Sequence, residues 1–407
     1  MKLIRQYDGQ KRNFAFGRLL RMFVATILWL LLFPGAASAQ QIANVSEQLR
    51  QAQGLIASGH SEAAEDLLSS ILRQQPSNPI ALTLMGAVRT QQPGQETIAE
   101  EFFRKAIAAD PKHLPAWHGL GLLLLKMQRY PEALDTFEGG LKTSPRNGAL
   151  RQGEVRTAIS LAQTQLQAQD DEGALISLLR AKKFVSDDAD LLTKLGILED
   201  KMKVFHDADI ALKRSLALRA NDPTTLYALA HLKVDQQMPT EAAIYMQLYL
   251  ALKPDDASAH YGMGRILRLS AKPEEAEVEY EKSIALRPEQ TESYYDLAEM
   301  AVDANRDAKA EALLQRVLER DRRHGGALTE MGVIAFRRGD YVKAEQYLQD
   351  AVAAVPEYGP AHYQYALTLN KLGRKQDAQK EFATANALNK PPTEKSPGTV
   401  QLKEPVQ

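Results

Sequence analysis

Along most of the chain, two positions stay small while their neighbours alternate between apolar and polar at helical spacing. The first series reads Ala52, Gly86, Gly121, Ala162, Gly196, Ala230, Gly264, Ala298, Gly332 and Ala366. Its intervals are 34, 35 and 41 residues, then 34 six times running. The second series reads Ala64, Ala99, Ala133, Ala174, Ala208, Ala242, Ala276, Ala310, Ala344 and Ala378, at 35, 34, 41 and then 34 six times. Four residues after each alanine comes a large residue: Leu68, Phe103, Phe137, Leu178, Leu212, Met246, Tyr280, Leu314, Leu348 and Phe382. Residues four apart share a helix face, so each period predicts a helix pair. The small residues of the two helices meet at their crossing, and the large residue fills the wedge toward the next pair. Pro76, Pro111, Pro145, Pro254, Pro288 and Pro356 end the second helix in six of the periods.

Two short helices cannot bury their own apolar face, so neighbouring pairs must stack to do it. The stretch Trp117-His118-Gly119-Leu120-Gly121, followed by Leu124, Ala133, Phe137, Gly140 and Pro145, resembles the tetratricopeptide-repeat signature. That resemblance implies an all-α, right-handed superhelical solenoid of about ten hairpins. Units 1–3 are expected over 45–146 and units 4–10 over 155–390. An extra residue near Gln92-Pro93-Gly94 lengthens one hairpin turn. Residues 147–154 are an insertion, either a longer helix or a loop, and a candidate break between two blocks. Residues 391–407, with Pro391, Pro392, Pro397 and Pro405, are expected to form a disordered tail.

The first 39 residues follow a different pattern. Lys2, Arg5, Lys11, Arg12, Arg18 and Arg21 precede an apolar run from Met22 to Phe33, and Ala37-Ser38-Ala39 follows. This is the order of a secretory signal peptide cleaved after Ala39, leaving 40–44 as a short leader. The run is short for a membrane span, which needs roughly 20 residues; an uncleaved anchor is the alternative. The whole chain carries 50 basic and 51 acidic residues; cleavage removes six positive charges and one negative, leaving 44 against 50. A mildly acidic chain has no electrostatic footprint for nucleic acid. Cysteine is absent, which excludes disulfides, thiolate chemistry and lipidation at the cleavage site.

Catalytic patterns are not found. The eight histidines form no compact metal spacing, and His113 and His118, five apart, straddle a helix start. No nucleophile elbow or phosphate-cradling glycine loop occurs. Glu274, Glu275, Glu277, Glu279 and Glu281 read as a solvated helix face. The chain is therefore expected to be no enzyme, with no cofactor and no metal.

In the resembling family the first helices line a concave groove that takes a partner peptide or helix. The residues facing it lie three positions before the small residue, or one, four or five after it. Tyr227, Tyr261, Tyr295 and Tyr363 occupy the first of these places. His231, Asp235, Arg265, Arg268, Glu299, Asp303, Phe336, Arg337, Asn370 and Lys371 continue the surface. A rigid aromatic face with a hydroxyl suits recognition, and the arginines suit an anionic group. The Lys and Asn with which chaperone adaptors of the family clamp a carboxylate are replaced by Thr83 with Ala87 and by Tyr261 with Arg265. The sequence thus points to a periplasmic or secreted scaffold for an envelope protein. Alternatives are a carbohydrate or peptidoglycan module using the tyrosines, or the regulatory subunit of a separately encoded envelope enzyme.

Overall fold

The computed structural model describes residues 39–388, with side chains from Asn44 onward. Ala37, nearly all of the expected signal peptide and the Pro-rich tail lie outside the described residues. Within them the regular structure is helical, with no strand. The first helices of ten hairpins are α1 (Ala39–Ala57), α3 (Pro79–Thr90), α5 (Leu114–Lys126), α7 (Gly148–Gln167), α9 (Ala189–Lys201), α11 (Pro223–Asp235), α13 (Ala257–Leu269), α15 (Thr291–Asp303), α17 (Gly325–Arg337) and α19 (Gly359–Lys371). The second helices are α2 (Ser61–Gln74), α4 (Glu96–Ala109), α6 (Tyr130–Thr143), α8 (Asp171–Phe184), α10 (Phe205–Leu218), α12 (Pro239–Leu252), α14 (Pro273–Leu286), α16 (Asp307–Arg320), α18 (Tyr341–Ala354) and α20 (Lys375–Leu388). Two compact units divide within α9, the first ending at Leu198 and the second beginning at Glu199.

Short polar residues start many of the first helices, because an orphan backbone N–H there needs an acceptor. Asn78 accepts from the N–H groups of Ile80 and Ala81, Asn147 from Leu150, Asp222 from Thr225, and Asp256 from Ser258 and Ala259. Inside nine hairpins the chain reverses through a residue with positive φ, seven positions after the small residue: Gly59, Gln128, Gln169, Lys203, Gln237, Ala271, Asn305, Gly339 and Gly373. In the hairpin with the extra residue this role passes to Gly94, eight after Gly86. The turn chemistry is therefore a register marker of its own.

All ten second-helix alanines are buried, none more than 2% exposed. The first-helix glycines face a different partner from the expected alanine. A Cβ on Gly121 would come within 2.5 Å of the Phe137 ring, one on Gly264 within 2.7 Å of Tyr280, and one on Gly332 within 2.5 Å of Leu348. The large residue itself fills the space that glycine leaves. It also reaches the following hairpin: Phe103 lies against both Gly86 and Gly119, and Phe137 against both Gly121 and Gly153. Phe103 and Phe137 are thus gripped from both sides, which couples each of their hairpins to the next.

Residues 148–167 form one helix of 20 residues, so the insertion lengthens α7 rather than looping out. With Gly153 on Phe137, packing runs straight through 147–154, and no break falls there. At the other end, α1 takes in the residues expected as a leader. Among the described residues no helix is long and apolar enough to cross a membrane.

Candidate partner-binding face

The tyrosine series splits when placed in the fold. Tyr227 and Tyr261 are each only 6% exposed. Tyr227 packs edge-on to Tyr249 with ring centroids 5.2 Å apart, and Tyr261 lies 5.9 Å from Tyr280, both partners being second-helix residues of the same hairpin. These two rings are core, and they do not present the aromatic face expected of them. Tyr295 is half-buried, its ring 4.8 Å from His324 and its hydroxyl coupled to Glu299 and Tyr358. Burial and the nearby Glu299 charge push the Tyr295 phenol well above its ordinary range. Tyr363 alone of the four is exposed, with one edge on Phe382.

The arginines expected to receive an anion are already engaged. Arg265 lies 3.9 Å from Asp296 and over the Tyr261 ring, and Arg268 lies 3.1 Å from Glu299. Arg337 donates to the Val302 carbonyl at 2.8 Å, to Asn305 at 2.7 Å and to Asp307 at 3.1 Å, closing the turn of the preceding hairpin. What the face of α15 and α17 presents instead is negative charge. Glu299, Asp303 and Glu330 interact there, with Asp296 beside Glu299, and Arg265 and Arg268 offset Asp296 and Glu299. Burial, with the charges of Glu299 and Asp303, pushes the Glu330 carboxyl up to about 7. Burial likewise raises Asp296 above the usual carboxylate range, against the pull of Arg265. Phe336 stacks edge-on with Tyr341, while Asn370 and Lys371 stand exposed at the end of α19.

His231 and Asp235 sit elsewhere on this face, beside Asp200. His231 Nδ1 is 2.8 Å from Asp200, and Lys203 pairs with Asp235. Burial opposes the charged imidazole, but Asp200 and Asp235 outweigh it and hold the His231 pKa above its ordinary value.

The glutamates of α14 are not merely a solvated face. Glu277 accepts from Arg306 at 2.8 and 3.0 Å and pairs with Lys309, which together hold its carboxyl down at about 2. Glu279 bonds His260 at 2.6 Å. His113 and His118 are buried, and burial pushes both down to about 4, so they are neutral interior residues.

Two features escaped the sequence reading. Glu154 is completely buried with neither oxygen hydrogen-bonded, and burial plus the Glu138 charge raises its pKa to about 8. Its only sequence signal is its place in the insertion, on a helix longer than its counterparts. Ile210, Ile244 and Val278, each two positions after a second-helix alanine of the repeat, are about half exposed at 53, 55 and 49%. That stripe follows the same 34-residue period and could have been read from it.

Tetratricopeptide-repeat models match residues 49–113, 94–156, 267–328 and 325–390. No protein of curated function matches the chain. Among solved structures, a tetratricopeptide repeat protein from Parabacteroides merdae is 15% identical with a TM-score of 0.49, covering 58% of this chain and 93% of its own. Pseudomonas aeruginosa pilF is 18% identical with a TM-score of 0.47, covering 54% and 99%. YrrB, described as a tetratricopeptide-repeat protein with an unusual peptide-binding site, is 20% identical with a TM-score of 0.37, covering 44% and 92%.

Proposed function

The chain belongs to the tetratricopeptide-repeat family, and on that premise we propose that it is a non-catalytic scaffold holding a basic segment of a protein partner. The face that holds it is formed by α15, α17 and α19 in the second unit. One observation carries this reading. Glu299, Asp303 and Glu330 interact there, with Asp296 beside Glu299. Arg265 and Arg268 offset only Asp296 and Glu299, which leaves the charges of Asp303 and Glu330 in excess, while Arg337 is turned into a neighbouring hairpin turn. The carboxylates beyond those two pairs repel each other, and a Lys or Arg from a partner would relieve that repulsion. Tyr363, Asn370 and Lys371 extend it with exposed aromatic and polar contacts. Sugar stacking has less support, because Tyr227 and Tyr261 are buried among their own hairpins. The scaffold works in the periplasm or after secretion, on an envelope protein. The basic, apolar and A-x-A order of residues 1–39 supports that location.

Two experiments test it. A photo-crosslinking residue is placed at Asp303 or Asn370, and for comparison at Val278 on the second-helix stripe, in cells of the source organism. Capture of one partner through a Lys- or Arg-rich segment at 303 and 370 is expected. Capture only at 278 would move the site to the other face. N-terminal sequencing of the purified native protein is expected to begin at Gln40; a chain still beginning at Met1 would contradict export with cleavage.

A further inference from the structure

We propose that Asp200, His231 and Asp235 form a binding site for a divalent transition-metal ion, on the first-helix face of the second unit. The proposal stands apart from the acidic face above and shares none of its residues. The three residues offer one ligand atom each, all within 4.8 Å of one another. Their placement follows from the repeat. Asp200 lies four positions after Gly196, and His231 and Asp235 lie one and five after Ala230. Two hairpins later the same three places hold Arg268, Glu299 and Asp303, where Arg268 bonds Glu299 at 3.1 Å. There the chain supplies its own cation between the helices. Here the arginine position holds a carboxylate instead, so two carboxylates and an imidazole meet.

Burial makes the deficit matter. The Asp200 side chain is 7% exposed and that of Asp235 is 2% exposed. Oδ1 of each is buried and receives no hydrogen bond. A buried carboxylate oxygen without a donor is costly, and a bound cation satisfies both at once. Asp200 also accepts from or shares a proton with His231 Nδ1 through its other oxygen, which holds the ring beside the carboxylates. Lys203 covers the remaining oxygen of Asp235, but its side chain is half exposed, on a flexible stem that can swing to water.

One imidazole with two carboxylates is a mixed nitrogen and oxygen set. It suits zinc, cobalt, nickel or manganese, whereas magnesium and calcium favour oxygen alone. Three protein ligands leave a coordination position for water or for a partner's side chain. The ligands of this site come from two helices and lie 31 and 35 residues apart, beyond any local metal motif.

The test uses the full mature chain, with cobalt(II) as an optical probe and zinc(II) as its competitor. Saturable one-to-one cobalt binding with visible ligand-field bands is expected, displaced by zinc and not by magnesium. His231→Ala and Asp235→Asn should each weaken it at least tenfold, with circular dichroism unchanged. Lys203→Met keeps all three ligands and removes the competing charge, so it should tighten binding. Absence of saturable binding to the wild-type chain would overturn the proposal. So would binding that His231→Ala leaves unchanged, since the metal would then be held by other histidines.

Discussion

Gly264 and Tyr280 show how the repeat works at the level of single residues. The missing Cβ of Gly264 is the space the Tyr280 ring occupies, at 2.7 Å from where that atom would stand. Gly264→Val should therefore cost about 1–3 kcal/mol through overpacking. The loss should shrink when Tyr280→Leu is added, because the smaller side chain vacates the space. Denaturant melts of the two singles and the double make the check, and strictly additive losses would contradict the contact. The sequence marked both residues as packing positions but paired Gly264 with Ala276, since spacing shows which residues share a face and not how far each reaches. Tyr227 and Tyr261 were misplaced for the same reason: a position facing the groove in register is buried when the opposite helix carries Tyr249 or Tyr280. Glu154 supplies a second residue-scale prediction. Its pKa is about 8 in the folded chain, against an ordinary value of 4.5. The folded state then binds its proton more tightly, so the stabilising contribution is complete below 4.5 and is lost as pH rises toward 8. Glu154→Gln should be neutral at pH 4 and stabilising at pH 7, by up to roughly 3 kcal/mol. Thermal melts at the two pH values read this directly; an equal effect at both would contradict it.

At the scale of the hairpin, two polar devices recur that composition alone does not reveal. Trp117, His260 and His362 each stand four before a small residue, and each ring N–H donates to a carbonyl six residues back, on Pro111, Pro254 and Pro356 at 2.8–2.9 Å. Each closes the chain between one hairpin and the next. Arg129, Arg306 and Arg374, eight after the small residue, bond Glu100, Glu277 and Glu345, one after the alanine of the preceding hairpin. Both sets were present in the 34-residue register, yet a glutamate on a helix surface looks solvated until its partner one period away is known. His260 bonds Glu279 through Nδ1 and the Pro254 carbonyl through Nε2, and with Glu279 held ionised both nitrogens donate. Its pKa is raised, chiefly by the Glu279 hydrogen bond. The stabilisation is then complete below the ordinary histidine value and lost as pH rises through the folded one. His260→Leu should cost about 1–3 kcal/mol at pH 6, and less at pH 9. A pH-independent loss would show that the contact is one of shape. The helix pairs, their order and the lengthened turn at Gly94 were all readable from the spacing. Whether the seven added residues would loop or extend α7 was not, because that rests on Gly153 meeting Phe137 across hairpins.

For the molecule as a whole, net charge near zero conceals a local excess of carboxylates on α15 and α17. Glu330 made no impression in the sequence because it lies two before Gly332, outside the places the family uses for binding. With its carboxyl at about 7, it ionises across the neutral range. Affinity for a basic segment should therefore rise from pH 6 to pH 8, and Glu330→Gln should flatten that dependence. The most direct measurement of the central claim is the affinity of the captured partner segment for the wild-type chain and for Glu299→Lys with Asp303→Lys, by fluorescence anisotropy at two salt concentrations. The account predicts at least a tenfold loss on charge reversal, and weaker wild-type binding at the higher salt. Equal affinity for both proteins, insensitive to salt, would contradict it.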